Sequence, residues 1–195
     1  MKKIAFLLVI AFFFVGVVNS QVVEIKKMPT TIDEFLEMRD NIANTPEGGA
    51  TMFIIALKIY QENPELGAQC LVISADRTRL QSGSVYKGFQ LMPNDFSRIK
   101  SQLSQYPYVV NSYFKGATPE NGYTFNFPTQ MDFSSNDYSG SVEEGDFKVF
   151  VQCYGADNPR PIRLIRNDKG YWKAKEWSSI IMGIRKPVEE IDDDL

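Results

Sequence analysis

A change of hydrophobic period along the chain predicts an α+β domain, with N-terminal helices packed on a C-terminal antiparallel β-meander. Three observations carry this. Residues 31–74 set apolar side chains three and four apart between Thr, Asn and Pro, as capped helices do. Residues 123–177 change to alternation of apolar with polar side chains, the period of half-buried strands. Asp168-Lys169-Gly170 joins the last two apolar runs as a hairpin loop with Gly at the left-handed position.

The first element is not part of that fold. Lys2 and Lys3 precede an apolar run from Ile4 to Val18, and Ser20 closes it, which is the layout of a secretory signal peptide cleaved after Ser20. Fifteen apolar residues fall short of the roughly 20 that a membrane span needs, so contact with the membrane is expected only during export. The short basic start looks bacterial, and the destination is then periplasmic or secreted.

A strand-like leader, Val22 to Met28, comes next. Thr31 caps a helix and Glu34 completes a capping box, with Ile32, Phe35, Leu36 and Ile42 as the buried stripe. Thr45 and Pro46 start a second helix whose run Met52 to Tyr60 is apolar nearly all round, which makes it central. Asn63-Pro64 ends it and opens a third, carrying Leu66, Cys70, Leu71 and Ile73. A short extended piece, Val85 to Leu91, precedes an amphipathic helix capped by Asn94, and Pro107 starts a further helical turn. Strands follow at Tyr123–Phe127, Phe147–Cys153, Pro161–Asn167 and Tyr171–Trp177. Residues 21–187 thus form one domain, and the acidic residues 188–195 a solvated tail.

Composition excludes more than it includes. The 195 residues hold no histidine and two cysteines, which removes Ser-His and Cys-His nucleophile pairs, His general bases and zinc sites. No cofactor or metal is called for by any motif. Gly48-Gly49 lacks the spacing and lysine of a P-loop, and Ser84–Lys87 and Ser97–Lys100 lack the companions of a Ser-Lys nucleophile. The chain carries 21 basic and 24 acidic residues; loss of Lys2 and Lys3 would take its formal charge from −3 to −5, the wrong sign for nucleic acid. Cys70 and Cys153 sit in apolar surroundings as small buried hydrophobes do, and an oxidising compartment leaves their pairing open.

Extending the terminal hairpin from its loop pairs Arg166 with Trp172, Leu164 with Ala174 and Ile162 with Glu176 on one side. The other side pairs Ile165 with Lys173 and Arg163 with Lys175, and like charges placed opposite one another need water, the acidic tail or an external anion. Nine aromatics between Tyr106 and Tyr138 suggest either sugar stacking or, for the alternating Tyr123, Phe125 and Phe127, a core-facing strand. The loop 155–161 puts Asp157 and Arg160 where a polar ligand could meet them, unless they pair with each other in a capped turn. Asp132, Asp137, Glu143, Glu144, Asp146 and Asp157 supply carboxylates for a glycosidase, which needs no histidine, without a spacing that singles out a pair.

The segments GATPENGYTF (116–125), GADNPRPIRL (155–164) and GYWKAKEWSSIIMGIRKP (170–187) resemble an uncharacterised family of bacterial proteins known only as a domain of unknown function. The likeness runs from about Ile32 to Pro187 and implies one compact domain, often in exported or envelope proteins, with no assigned activity. The order of elements, ending in a Gly-x-Trp-Lys strand, is also similar to the cone-shaped folds of nuclear transport factor 2-like proteins. The expected function is a non-catalytic module of the cell envelope that binds an envelope protein or an anionic or glycan ligand. Its candidate site residues are Asn121, Tyr123, Asp157, Arg160, Arg163, Lys173 and Lys175; the alternative is a carboxylate-based hydrolase acting on glycans.

Overall fold

Side-chain caps and prolines fix where the helices begin in the computed structural model, which describes residues 19–189. Thr31 accepts the Glu34 N–H at 3.2 Å to open α1 (Ile32–Ile42). The Glu34 carboxylate closes the cap on Thr30, accepting its N–H and hydroxyl at 2.8 and 2.9 Å. Thr45 caps α2 (Pro46–Glu62), and almost every side chain of that helix from Pro46 to Leu57 is buried, as its all-round apolar sequence requires. Asn63 works twice: its N–H closes α2 on the Ile59 carbonyl, and its side chain accepts from Leu66 to open α3 (Pro64–Ser74). The two helices then touch backbone to backbone, since a Cβ on Gly67 would lie 2.1 Å from Tyr60 Cα.

The extended piece expected at residues 85–91 is a hairpin, β2 (Leu80–Tyr86) and β3 (Phe89–Leu91), turning through Lys87 and Gly88 at positive φ. Asn94 does not cap the next helix. α4 (Pro93–Gln105) starts one residue earlier, because Pro93 takes the first helical position and Met92 precedes it without a side-chain cap. After Pro107 the chain makes turns that end in a 3₁₀ turn at Asn111–Tyr113.

The main sheet is antiparallel throughout, in the order β1 (Asn19–Ile25), β4 (Thr129–Ser135), β6 (Asp146–Val151), β7 (Arg160–Arg166), β8 (Trp172–Glu176). A short β5 (Gly140–Ser141) adds to β6. α2 lies against β1, β6, β7 and β8, so Ile54, Ile55 and Leu57 share a core with Val149, Ile162 and Leu164. Each such side chain, fully withdrawn from water, contributes roughly 1.5–3 kcal/mol. Gly49 lets the helix approach, as a Cβ there would meet the Trp172 Cβ and carbonyl oxygen at 2.6 Å. The outer edge of β8 is not left open: Trp172 donates to the Ala43 carbonyl at 2.8 Å and Asp76 donates to the Ala174 carbonyl at 2.7 Å. The α+β class read from the sequence is the class observed.

Two strand assignments need correcting. Residues 123–127 form no strand; Gly122 and Tyr123 take φ of 66° and 59°, and the aromatics stack instead, Tyr123 on Tyr108 at 5.3 Å and Phe125 on Phe114 at 4.1 Å. The strand follows them as β4, where Thr129, Met131 and Phe133 are buried and Gln130, Asp132 and Ser134 are not. The leader is shifted too, since β1 starts at Asn19 and pairs Val23 with Met131. Of the expected signal peptide, residues 1–18 lie outside the described residues, as do residues 190–195 of the expected tail; Val188 is held by its N–H to the Pro119 carbonyl. Among the described residues no helix is long and apolar enough to cross a membrane.

Candidate functional site

The basic face expected on the last hairpin does not form. Pairing runs as expected from the loop through Arg166–Trp172, Ile165–Lys173 and Leu164–Ala174, and a β-bulge then sets Arg163 opposite Glu176, leaving Lys175 as the extra residue. Arg163 therefore meets acids: its Nε and Nη2 fork onto Asp146 at 2.7 and 2.6 Å, and its Nη1 reaches Glu176 at 3.1 Å. The guanidinium hydrogen bonds hold the Asp146 carboxyl below the usual aspartate range. Lys173 is buried and donates to the Ile73 carbonyl at 2.6 Å in the last turn of α3, and loss of hydration lowers its ammonium to about 8. Lys175 lines a separate cleft of about 280 Å³ beside Arg79, Asp95 and Arg98.

The other four candidates come together. Asn121 is consumed in shaping its own loop, accepting from Thr118 N–H at 3.0 Å and donating to the Gly116 and Thr124 carbonyls at 2.8 and 3.2 Å. That loop delivers Tyr123, buried and in left-handed backbone, whose hydroxyl donates to the Arg185 carbonyl at 2.6 Å; burial raises its phenol to about 12. Gly155 admits this contact, because a Cβ there would lie 2.3 Å from the Tyr123 hydroxyl and 2.6 Å from Ile184. Residues 183–188 then act as a strap across both loops, with Arg185 N–H on the Gly155 carbonyl at 3.0 Å and Val188 N–H on the Pro119 carbonyl at 2.9 Å.

Between the strap and the 155–160 loop lies an open cleft of about 440 Å³, with Asp157, Asn158, Arg160 and Arg185 on its walls. Asp157 and Arg160 are not paired in a turn. Arg160 bends under the strap to the Gly183 carbonyl at 3.1 Å, and Asp157 stands 88% exposed, 3.5 Å from Arg185. Such an exposed pair is worth about 1 kcal/mol at most and exchanges readily for another acid. Sequence reading missed Arg185, Asn158 and Gly183, although Arg185 and Gly183 stand in the third of the segments that carry the resemblance. The second and third of those segments line this cleft, and the first braces it from behind through the Tyr123 hydroxyl on the Arg185 carbonyl.

The carboxylates divide between places. Asp132 accepts the Tyr154 hydroxyl at 2.7 Å, Glu143 accepts Ser141 at 3.1 Å, and Asp157 alone lines the cleft under the strap; Glu144 and Asp146 line a second cleft with Glu176, where Arg163 holds Asp146 and Glu176. Ser97 and Lys100 stand on the exposed face of α4, and Ser84 and Lys87 are exposed as well. Of the nine aromatics, only Phe127 and Tyr138 are exposed; the rest serve the core or its margin. Cys70 and Cys153 are buried free thiols, and burial raises Cys70 to about 12. Among the described residues no group of three His, Cys, Asp or Glu is placed to hold a metal ion.

Residues 27–188 match a protein family described as a domain of unknown function (DUF6935). No curated protein and no solved structure matches the chain.

Proposed function

We propose that this chain, which belongs to the DUF6935 family, is an exported bacterial domain that binds an anionic ligand or the acidic surface of an envelope protein without chemical turnover. The observation that carries the reading is the meeting of two distant segments, 155–160 and 183–185, at a cleft whose walls hold two guanidinium groups and one loosely held carboxylate. Arg160 is fixed by carbonyls and offers a pre-set charge, while Arg185 can release Asp157 to a ligand carboxylate, sulfate or phosphate. Catalysis through paired carboxylates finds only one acid there, where a glycosidase needs two flanking the bond. Export rests on the signal-peptide pattern of residues 1–20.

The test expresses the full chain in a bacterial host, reads the mature N-terminus by mass spectrometry and titrates the purified protein with sulfate, phosphate and oligogalacturonate by calorimetry. The expected N-terminus is Gln21. Arg185→Ala should weaken anion binding about tenfold, and Asp157→Asn, which removes the internal competitor, should strengthen it. Absence of binding to all three anions, or binding indifferent to Arg185→Ala, defeats the proposal. Release of reducing ends from oligogalacturonate, abolished by an acid-to-amide change, would replace it with the hydrolase reading.

A further inference from the structure

Tyr138 is the one large aromatic that the fold leaves almost wholly outside, 88% exposed among the described residues. Its position is nonetheless built. Its N–H donates to Asn136 Oδ1 at 3.0 Å, the Asn136 N–H donates to Ser139 Oγ at 3.1 Å, and the Ser139 N–H returns to the Asn136 carbonyl at 2.9 Å. A turn locked on both sides places Tyr138 at the rim of a cleft of about 380 Å³, distinct in every residue from the cleft under the strap.

The wall of that cleft carries the Arg163–Asp146 fork, a planar ion pair tied down further by Glu176. A carboxylate has about four acceptor directions, and the fork occupies one on each oxygen of Asp146, so acceptors remain for a ligand's hydroxyl groups. Arg163 holds that carboxylate ionised, a stronger acceptor than a neutral group. Lys148, two residues along the same strand as Asp146 and opposite Arg163, adds a donor. The cleft then holds three acids, Glu144, Asp146 and Glu176, against two bases, Lys148 and Arg163, and this balance disfavours an anion. A flat apolar face beside rigid hydroxyl acceptors suits a ring that is apolar above and hydroxylated at its edge.

We propose that this cleft is a subsite for a neutral or amino-substituted sugar ring, stacked on Tyr138 and hydrogen-bonded at its edge to Asp146. It is a second site, with a ligand charge opposite in preference to that of the Arg160–Arg185 cleft.

The experiment titrates the full-length protein by calorimetry with the tetramers of glucose, N-acetylglucosamine and glucosamine, and with oligogalacturonate as the acidic control. At least one of the first three should bind. Tyr138→Ala should weaken that binding about tenfold or more, whereas Tyr138→Phe keeps the stacking face and should stay within about twofold. The unfolding midpoint of both variants should equal that of the wild type, because the ring packs on nothing in the core. Arg185→Ala should leave sugar binding unchanged, which separates this site from the other. Failure of all three sugars to bind, equal affinity of Tyr138→Ala and wild type, or loss of sugar binding in Arg185→Ala would each overturn the proposal.

Discussion

Replacing Lys173 by Met should flatten the alkaline limb of the stability curve. Burial lowers the Lys173 ammonium from 10.5 to about 8, with Arg39 and Lys169 acting in the same sense and Asp40 opposing them. Below about pH 8 both folded and unfolded chains carry the proton, and the folded state bears the full cost of burying it, roughly 3 kcal/mol for that interval. Between about 8 and 10.5 only the unfolded chain keeps the proton at this position, so the Lys173 contribution becomes more favourable as pH rises. Integrated from about pH 7 to about pH 9.5, the gain is about 2 kcal/mol. Cys70 and then Tyr113, Tyr123, Tyr154 and Tyr171 hold raised groups that stay protonated in the folded state and turn both curves down in alkali, so the difference between wild type and variant carries the Lys173 signal. Urea unfolding followed by tryptophan fluorescence at half-unit pH steps measures the slope. The Met variant also deprives the Ile73 carbonyl of its donor, at a cost of about 1–3 kcal/mol, so the change with pH is the readout and not the absolute stability. Parallel wild-type and variant curves over this range would refute the burial argument.

Two further perturbations test the packing and the charge pairing. Gly67→Ala should cost about 3 kcal/mol in urea unfolding, because the new Cβ meets the backbone of Tyr60 and the two helices must part; a loss under about 1 kcal/mol would show that they slide instead. Arg163→Met should cost about 1 kcal/mol at neutral pH, discounted for a pair that is more than one-third exposed. Asp146, held low by Arg163, contributes stability above its unfolded value and loses it as pH falls through its folded one, so the difference between Arg163→Met and wild type should fade in acid.

Particular residues show where the sequence was legible. Thr31, Thr45, Pro46, Asn63 and Pro64 announce three helix starts, because capping is a bond between neighbours and needs no tertiary partner. Tyr123, Phe125 and Phe127 misled, since alternation reports only that every second side chain is wanted by something apolar, and stacked rings satisfy that as well as a ladder does. The same alternation stood in Thr129 to Ser134 with smaller residues, and that is the real strand. In the last hairpin the loop set three pairs correctly, and the bulge then undid the fourth.

The candidate site followed the same division. Asn121, Tyr123, Asp157 and Arg160 could be picked out as turn and loop chemistry, yet nothing local says that the Tyr123 hydroxyl ends on the Arg185 carbonyl, 62 residues away. Nor could spacing say that Lys173 would be drawn inside while Lys175 was turned toward Arg98.

Sequence by itself determined the class of fold, the helix starts, the turn of the last hairpin and the chemistries closed to a chain without histidine, because each depends on composition or on contacts within a few residues. Tertiary structure alone decided which charges meet, which aromatics face water and where the clefts open. Those depend on strand order, on one bulge and on glycines such as Gly49 and Gly155 that let distant backbones approach, and no local pattern encodes a distance between segments until the core has closed around them.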